Sequence, residues 1–264
     1  MSMAATAARR WEARSLFAGE RLGFWLIALL LLLWEGSVRS GLVNSPNWPA
    51  VSAVAAAIPR EALGGELLQA LAGTLYRACT GFLLGGLAGV ALGLLLAVSR
   101  VARRTLEPTV ELFRPLPIPA MIPPLVLFLG LDDGMKIAVV AFTVFFPVFI
   151  NTLQGALAIE PTYRGVAATF GVPWTVRVWG VLLPATVPFI FAGLRLSIGL
   201  AFVSAVAAEM VAGDAGVGYY LVSTQYAGRG AEMFAAIFML SFVGYMINMG
   251  FVRVERRILF WYHQ

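Results

Sequence analysis

The chain holds one cysteine (Cys79) and one histidine (His263) in 264 residues. That scarcity excludes a disulfide framework and any Cys/His metal centre. Charge is scarce too: Asp, Glu, Lys and Arg make up 12% of the sequence, about half the share of an ordinary soluble domain. Lysine is nearly absent, since 18 of the 19 basic residues are arginine and the other is Lys136. The net charge of +5 includes no basic run longer than Arg103-Arg104 and no aromatic–basic interleaving, which excludes nucleic acid as a partner. Enzymatic motifs are missing as well. There is no H-E-x-x-H, no G-x-S-x-G and no acidic cluster with metal-ligand spacing, so no catalytic residue and no metal site is assigned.

What is abundant is apolar sequence, at 60% of the chain. A soluble fold of this size would expose large greasy patches, so lipid is the expected solvent. At ~20 residues per crossing, the length allows about five or six spanning helices. Leu22–Trp34 is an apolar run behind Arg9, Arg10, Arg14 and Arg21. This pattern resembles a secretory signal, but Glu35, Gly36 and Arg39 follow without a small-x-small cleavage site, so an uncleaved first helix is expected. Pro46, Pro49 and Pro59 break any long helix across 41–66. Further spans are expected at Ala78–Val98, Pro115–Leu131, Ile137–Ile159, Pro188–Ala212 and Met233–Val252. The reading is all-α and polytopic, with about six transmembrane helices in a single domain over 1–264.

Arginine placement gives the orientation. With the N-terminus inside, segments 1–21, 99–114, 155–184 and 253–264 hold four, four, two and three basic residues. The outside segments hold Arg39, Arg60, Lys136 and Arg229. That bias satisfies the positive-inside rule with both termini cytoplasmic.

Several features within the spans matter for packing or passage. Gly81, Gly85, Gly89 and Gly93 form one stripe that admits a neighbouring backbone, either as a sliding surface or as static close packing. Prolines 115, 117, 119, 123 and 124 free backbone carbonyls, which hydrocarbon does not tolerate. Pro117 and Pro119 therefore mark either a kinked entry facing a pathway or an interfacial segment before a short helix. Arg195 and Glu209 are the charges placed in or near the fifth span, and such charges face a bundle interior or cavity. Fourteen residues apart, or about 21 Å along a helix, they cannot pair with each other. Arg195 either meets an anionic substrate or hydrogen-bonds neighbouring carbonyls. Asp132-Asp133-Gly134 reads as a turn and helix cap. Gly213–Gly218 has the glycines of a phosphate loop but lacks the following Lys-Ser/Thr, so the chain is not expected to hydrolyse ATP itself.

The longest cytoplasmic loop, 155–184, reads as a hook. Tyr163–Phe170 is helix-compatible, Gly171 is placed to end it in the left-handed conformation, and Pro173-Trp174 can open a second helix. Tyr163, Phe170 and Trp174 are apolar anchors that need a partner.

At this point the sequence resembles the ABC importer permeases of the nitrate/sulfonate/taurine type. Their signature is E-A-A, three residues, Gly, nine residues, Ile, one residue, Leu-Pro. Here it reads Gly165-Val166-Ala167, Gly171, Val181, Leu183 and Pro184. The likeness continues through Ala192–Ser197, Ala207–Met210 and Gly216–Tyr219, and upstream through Glu111–Pro117, Pro123–Leu125, Gly130 and Lys136-Ile137, covering about 70–255. The resemblance implies a methionine-importer-like permease fold in the bacterial inner membrane. It also implies a homodimer of permeases, two ATPase subunits that bind ATP and Mg, and a periplasmic substrate-binding protein. The hook would sit in a groove on the ATPase, with Val166, Ala167, Gly171 and Pro184 inheriting the coupling role. The family's glutamate position is Gly165, so its salt bridge cannot form, leaving Tyr163, Arg164 or hydrophobic contacts to substitute. The Gly-Leu-Arg pattern around Arg195 looks family-wide, which favours an architectural role for that charge. The resulting expectation is ATP-driven import of a small anionic solute. A passive pore would give the hook no purpose, and a membrane-embedded enzyme would need the catalytic constellation that is missing.

Overall fold

A computed structural model of the chain describes residues 23–158 and 169–261. Its elements are α1 (23–39), α2 (Val51–Gly64), α3 (Glu66–Val98), α4 (Arg100–Phe113), α5 (Ile118–Leu129), α6 (Asp133–Leu157), α7 (Trp174–Ala212), α8 (Val217–Tyr226) and α9 (Gly230–Ile258). No strand occurs among the described residues. Helices α3, α6, α7 and α9 are long and apolar enough to cross a membrane.

The core is a three-helix stack of α3, α6 and α7, and the glycine stripe explains its closeness. A Cβ on Gly81 would lie 2.5 Å from that of Val140, and one on Gly93 would lie 2.8 Å from that of Thr152. On Gly85 it would fall inside the Ala141 carbonyl. The stripe is therefore filled by the backbone of α6, which runs parallel to α3. On its other side α6 meets α7 antiparallel: Gly193 faces Pro147 and Val148, while Gly155 is covered by the Phe189 ring. Val140, Val144, Val148, Ala201 and Ala205 fill the space between.

Two expected spans differ from the structure. Pro115–Leu131 is not a straight crossing. Its helical part, α5, has 12 residues, about 18 Å against a hydrocarbon thickness of ~30 Å. It turns by 102° from the amphipathic α4. Proline chemistry accounts for this: Pro117 is the N-cap, Pro119 sits where no helical donor is needed, and Gly130 at φ +72° ends the helix. Within α5, Pro123 and Pro124 lack the N–H groups that would pair with the carbonyls of Pro119 and Ala120. The fifth span, expected from Pro188, runs instead without a break from Trp174, 39 residues in all. A π turn over Val178–Leu182 precedes Pro184. That wider turn absorbs the clash a proline ring makes with the carbonyl four residues back.

The remaining elements wrap this core. The Trp34 ring of α1 packs against Trp48 and Phe234, and its Nε1–H donates to the Pro49 carbonyl at 3.0 Å. Glu35 accepts from the Ser52 N–H at 3.1 Å and from its hydroxyl at 2.8 Å, tying α1 to the start of α2. The Tyr220 hydroxyl donates to Glu61 at 2.6 Å, which fastens α8 to α2.

Candidate functional site

Three features of the bundle bear on function: the hook end of α7, a charged knot at its opposite end, and a cavity between them. Of the expected coupling residues, Tyr163, Arg164, Gly165, Val166 and Ala167 lie outside the described residues. Phe170 is 78% exposed, and Gly171 adopts φ +61°. Pro173, expected at the first helical position, is the N-cap, so the helix opens at Trp174, one position later than expected. Trp174, Val176 and Trp179 are exposed, as is Pro184. At ~1.5 Å per residue α7 is about 58 Å long, against roughly 40–45 Å for a bilayer with its headgroups. That is about ten residues more than one upright crossing requires. Its Trp174 end carries an exposed apolar surface of Trp174, Val176 and Trp179.

At the other end, Glu209 and Arg77 meet. The Arg77 Nη1–H donates to Glu209 Oε1 at 2.7 Å and to the Ala215 carbonyl at 3.2 Å, and its Nε–H donates to Asp133 at 2.7 Å. The Thr74 hydroxyl lies 2.9 Å from both Glu209 oxygens and accepts the Val217 N–H at 2.9 Å. Gly218 N–H donates to Glu209 Oε2 at 2.9 Å. The Glu209 side chain is 0% exposed. Its carboxylate thus receives one orphan N-terminal donor of α8, the Gly218 N–H, while the Val217 N–H is taken by Thr74. The phosphate-loop-like Gly213–Gly218 segment wraps an anion after all, and the anion belongs to the chain itself. A side chain at Gly216 or Gly218 would collide with Glu209. Beside the knot, the buried Lys136 ammonium donates to the exposed Asp214 at 2.9 Å and holds that carboxyl below its ordinary range. Asp133, read from sequence as part of a cap, is an ion-pair partner; the N-cap Asp132 makes no side-chain cap bond.

Arg195 lies elsewhere, on the wall of a cavity of about 1050 Å³ between α7 and α9. Leu196, Phe202, Val203 and Leu240 line it with apolar surface; Ser241, Asn248 and Glu255 also face it. The Arg195 side chain is 55% exposed, and its Nη1 is 3.9 Å from Glu255 Oε2. That oxygen is enclosed and accepts no hydrogen bond. Among the described residues no hydrogen bond satisfies the guanidinium, which is not the architectural environment expected for it. Glu209 does not reach this cavity, and Pro117 and Pro119 lie exposed at the start of α5. The structure therefore separates the four expected pathway residues and brings Arg195 to Glu255. Sequence reading missed Arg77 as the partner of Glu209, although Arg77 is the charge that closes the uncharged run of α3. It also missed Glu255, which is hidden among Arg253, Arg256 and Arg257.

The sequence pattern of the family described as binding-protein-dependent transport system inner membrane component matches residues 89–259. The chain is 32% identical over 258 residues to a Bacillus subtilis protein named as an aliphatic sulfonates transport permease, SsuC, covering 97% of this chain and 93% of that one. It is 34% identical over 184 residues to the nitrate import permease protein NrtB of Leptolyngbya laminosa, covering 69% and 66%. Its fold is similar to a chain of the MetNI methionine ABC transporter, with a TM-score of 0.66 and 19% identity over 75% of this chain and 98% of that one.

Proposed function

Because the chain belongs to the family of binding-protein-dependent transport system inner membrane components, we propose that its two ends and its cavity divide the labour of an ATP-driven importer. The chain is a multi-pass permease subunit of an ABC importer of the bacterial inner membrane, and not an enzyme. Membership implies an ATPase, a substrate-binding protein and dimerisation as its partnerships. The finer assignment is ours: two permease copies, two ATPases that carry ATP and Mg, and a periplasmic binding protein, acting on one domain whose segment 155–184 is the coupling loop. Both termini face the cytoplasm. The solute is a small anion, by analogy with the sulfonate and nitrate permeases it resembles.

The observation that carries this reading is the apolar tip of Phe170, Trp174 and Trp179 on the projecting end of α7. Such a tip is costly in water and suits a groove on another subunit. Closure of the ATPases would pull on the tip, and α7 would carry that displacement to the cavity wall as a rigid body. Tyr163, Arg164, Gly165, Val166 and Ala167 complete the docking surface, with no carboxylate at Gly165.

Gly171→Val tests the assignment, because a β-branched residue is strained at φ +61°. The variant is expected to reach the membrane at the normal level, lose at least tenfold of its ATPase in co-purification, and fail in uptake. Normal co-purification together with normal uptake would overturn the coupling role.

A further inference from the structure

We infer that Arg195 is the anion-recognising end of a solute subsite, that the solute is an organic monoanion with an apolar tail, and that Glu255 restrains the guanidinium until the anion displaces it. The inference rests on the importer reading above and deepens it.

A guanidinium has five N–H donors in a planar fork suited to carboxylate, sulfonate or phosphate oxygens. In α7 none of them finds a hydrogen-bond acceptor among the described residues. About 17 residues, or about 25 Å, separate Arg195 from the end of α7 at Ala212, so the charge lies toward the cytoplasmic end of the span, beside Glu255 of the arginine-rich end of α9. A charge within a span needs a partner or an aqueous cavity. Glu255 is the nearest carboxylate, but at 3.9 Å it is beyond hydrogen-bonding distance. Its Oε2 is enclosed and unsatisfied, so the pair is poised: close enough for attraction, too far for a bond. An anion on the exposed face of the guanidinium would gain the free donors of Arg195 and would be repelled by Glu255 close behind it, which accounts for exchange rather than capture.

The rest of the wall sets the tail. Leu196, Phe202, Val203 and Leu240 offer apolar contact, and about 1050 Å³ is far more than a bare inorganic anion fills. One charged end and a long apolar wall fit an alkyl or aryl sulfonate or carboxylate better than nitrate. An anionic phospholipid offers the same chemistry. The soluble anion is the occupant assigned here, because the subsite lies on the element that carries the coupling tip.

The test uses the importer assembled with its ATPase in phosphatidylcholine nanodiscs. Cys79→Ser removes the native thiol, and Asn248→Cys lets a maleimide report access to the cavity. Butanesulfonate is expected to slow labelling at Cys79→Ser/Asn248→Cys, while the neutral butanesulfonamide does not. From methane- to butanesulfonate, the concentration for half-protection is expected to fall about two- to fourfold per CH₂. Arg195→Gln weakens protection at least tenfold, Arg195→Lys retains part of it, and Glu255→Gln strengthens it several-fold. Equal protection with and without Arg195, no protection at all, or equal protection by the neutral amide would overturn the subsite. Protection that appears only when phosphatidylglycerol is added would overturn the soluble occupant. ATP-driven uptake of labelled anions, measured with the binding protein present, tests the importer reading separately. Uptake without Arg195-dependent protection sinks this inference alone. Arg195-dependent protection without uptake of any anion sinks the anion-importer reading and leaves the subsite standing.

Discussion

Two arginine–glutamate pairs join α7 to its neighbours, and they are built in opposite ways. Arg77 and Glu209 touch at 2.7 Å, both side chains are enclosed, and donors from α3 and α8 converge on the carboxylate. Arg195 and Glu255 stand 3.9 Å apart on a cavity wall, one half exposed and the other with an idle oxygen. A buried pair repays its desolvation only when geometry and additional hydrogen bonds are good. The first pair meets that condition and joins α3, α6, α7 and α8 at one end of the bundle. The second does not meet it, and it lies beside space large enough for a solute. Satisfaction of donors, rather than charge in a span, separates a structural ion pair from one available for binding.

Glu209→Ala gives the largest effect and breaks the first half of the contrast. It leaves the Arg77 charge with a single carboxylate, Asp133, and strands the Gly218 N–H. Removing one partner of a buried pair costs about 3–5 kcal/mol. Reversible unfolding in mixed detergent–SDS micelles is expected to register that loss. Combining Arg77→Met with Glu209→Gln recovers about 1–3 kcal/mol of it, because Gln still accepts from Gly218 and the carboxylate that loses Arg77, Asp133, is half exposed to water. A loss below about 1 kcal/mol for Glu209→Ala would mean that the knot is not structural.

Arg195→Gln is the matching experiment at the second pair, with a far smaller expected cost. The guanidinium donates no hydrogen bond to the described residues and sits half in the open, so stability is expected to change by less than about 1 kcal/mol, as for exposed pairs. The same unfolding assay checks this. A cost equal to that of Glu209→Ala would erase the distinction between the two pairs and return Arg195 to an architectural role.

This contrast was only half legible in the sequence. Apolar run length locates α3, α6 and α9, and the four-residue glycine period anticipates the close approach of α6. Both are local signals that one helix carries by itself. The left-handed Gly171 is equally local, since few other residues adopt that conformation at little cost. Two prolines led elsewhere: at Pro184 and Pro188 the rule against proline in a helix predicts a late start for α7, but a π turn accommodates Pro184 and the helix continues through Pro188. The partner of Glu209 was not legible, because Arg77 lies 132 positions away and nothing between them encodes the meeting. Single residues announce that a charge is expensive; three packed helices decide which other residue offsets it.

The smallest effect belongs to a third pair, and pH is the variable that reads it. Lys136 is buried while Asp214 is 83% exposed, so this contact has one enclosed partner and one wet partner. Hydrogen bonding to the ammonium lowers the Asp214 carboxyl from its ordinary 3.8. A carboxyl whose value is lowered by folding stabilises the native state above the unfolded value, and that contribution fades as pH falls through the lowered one. Wild type is therefore expected to exceed Asp214→Asn in thermal midpoint by a small, constant margin above about pH 5. The margin closes as the pH drops below the ordinary carboxylate value. Asn keeps an oxygen that accepts from Lys136, so the margin stays well under that of Glu209→Ala. A margin that widened in acid would show that the Asp214 charge opposes the fold.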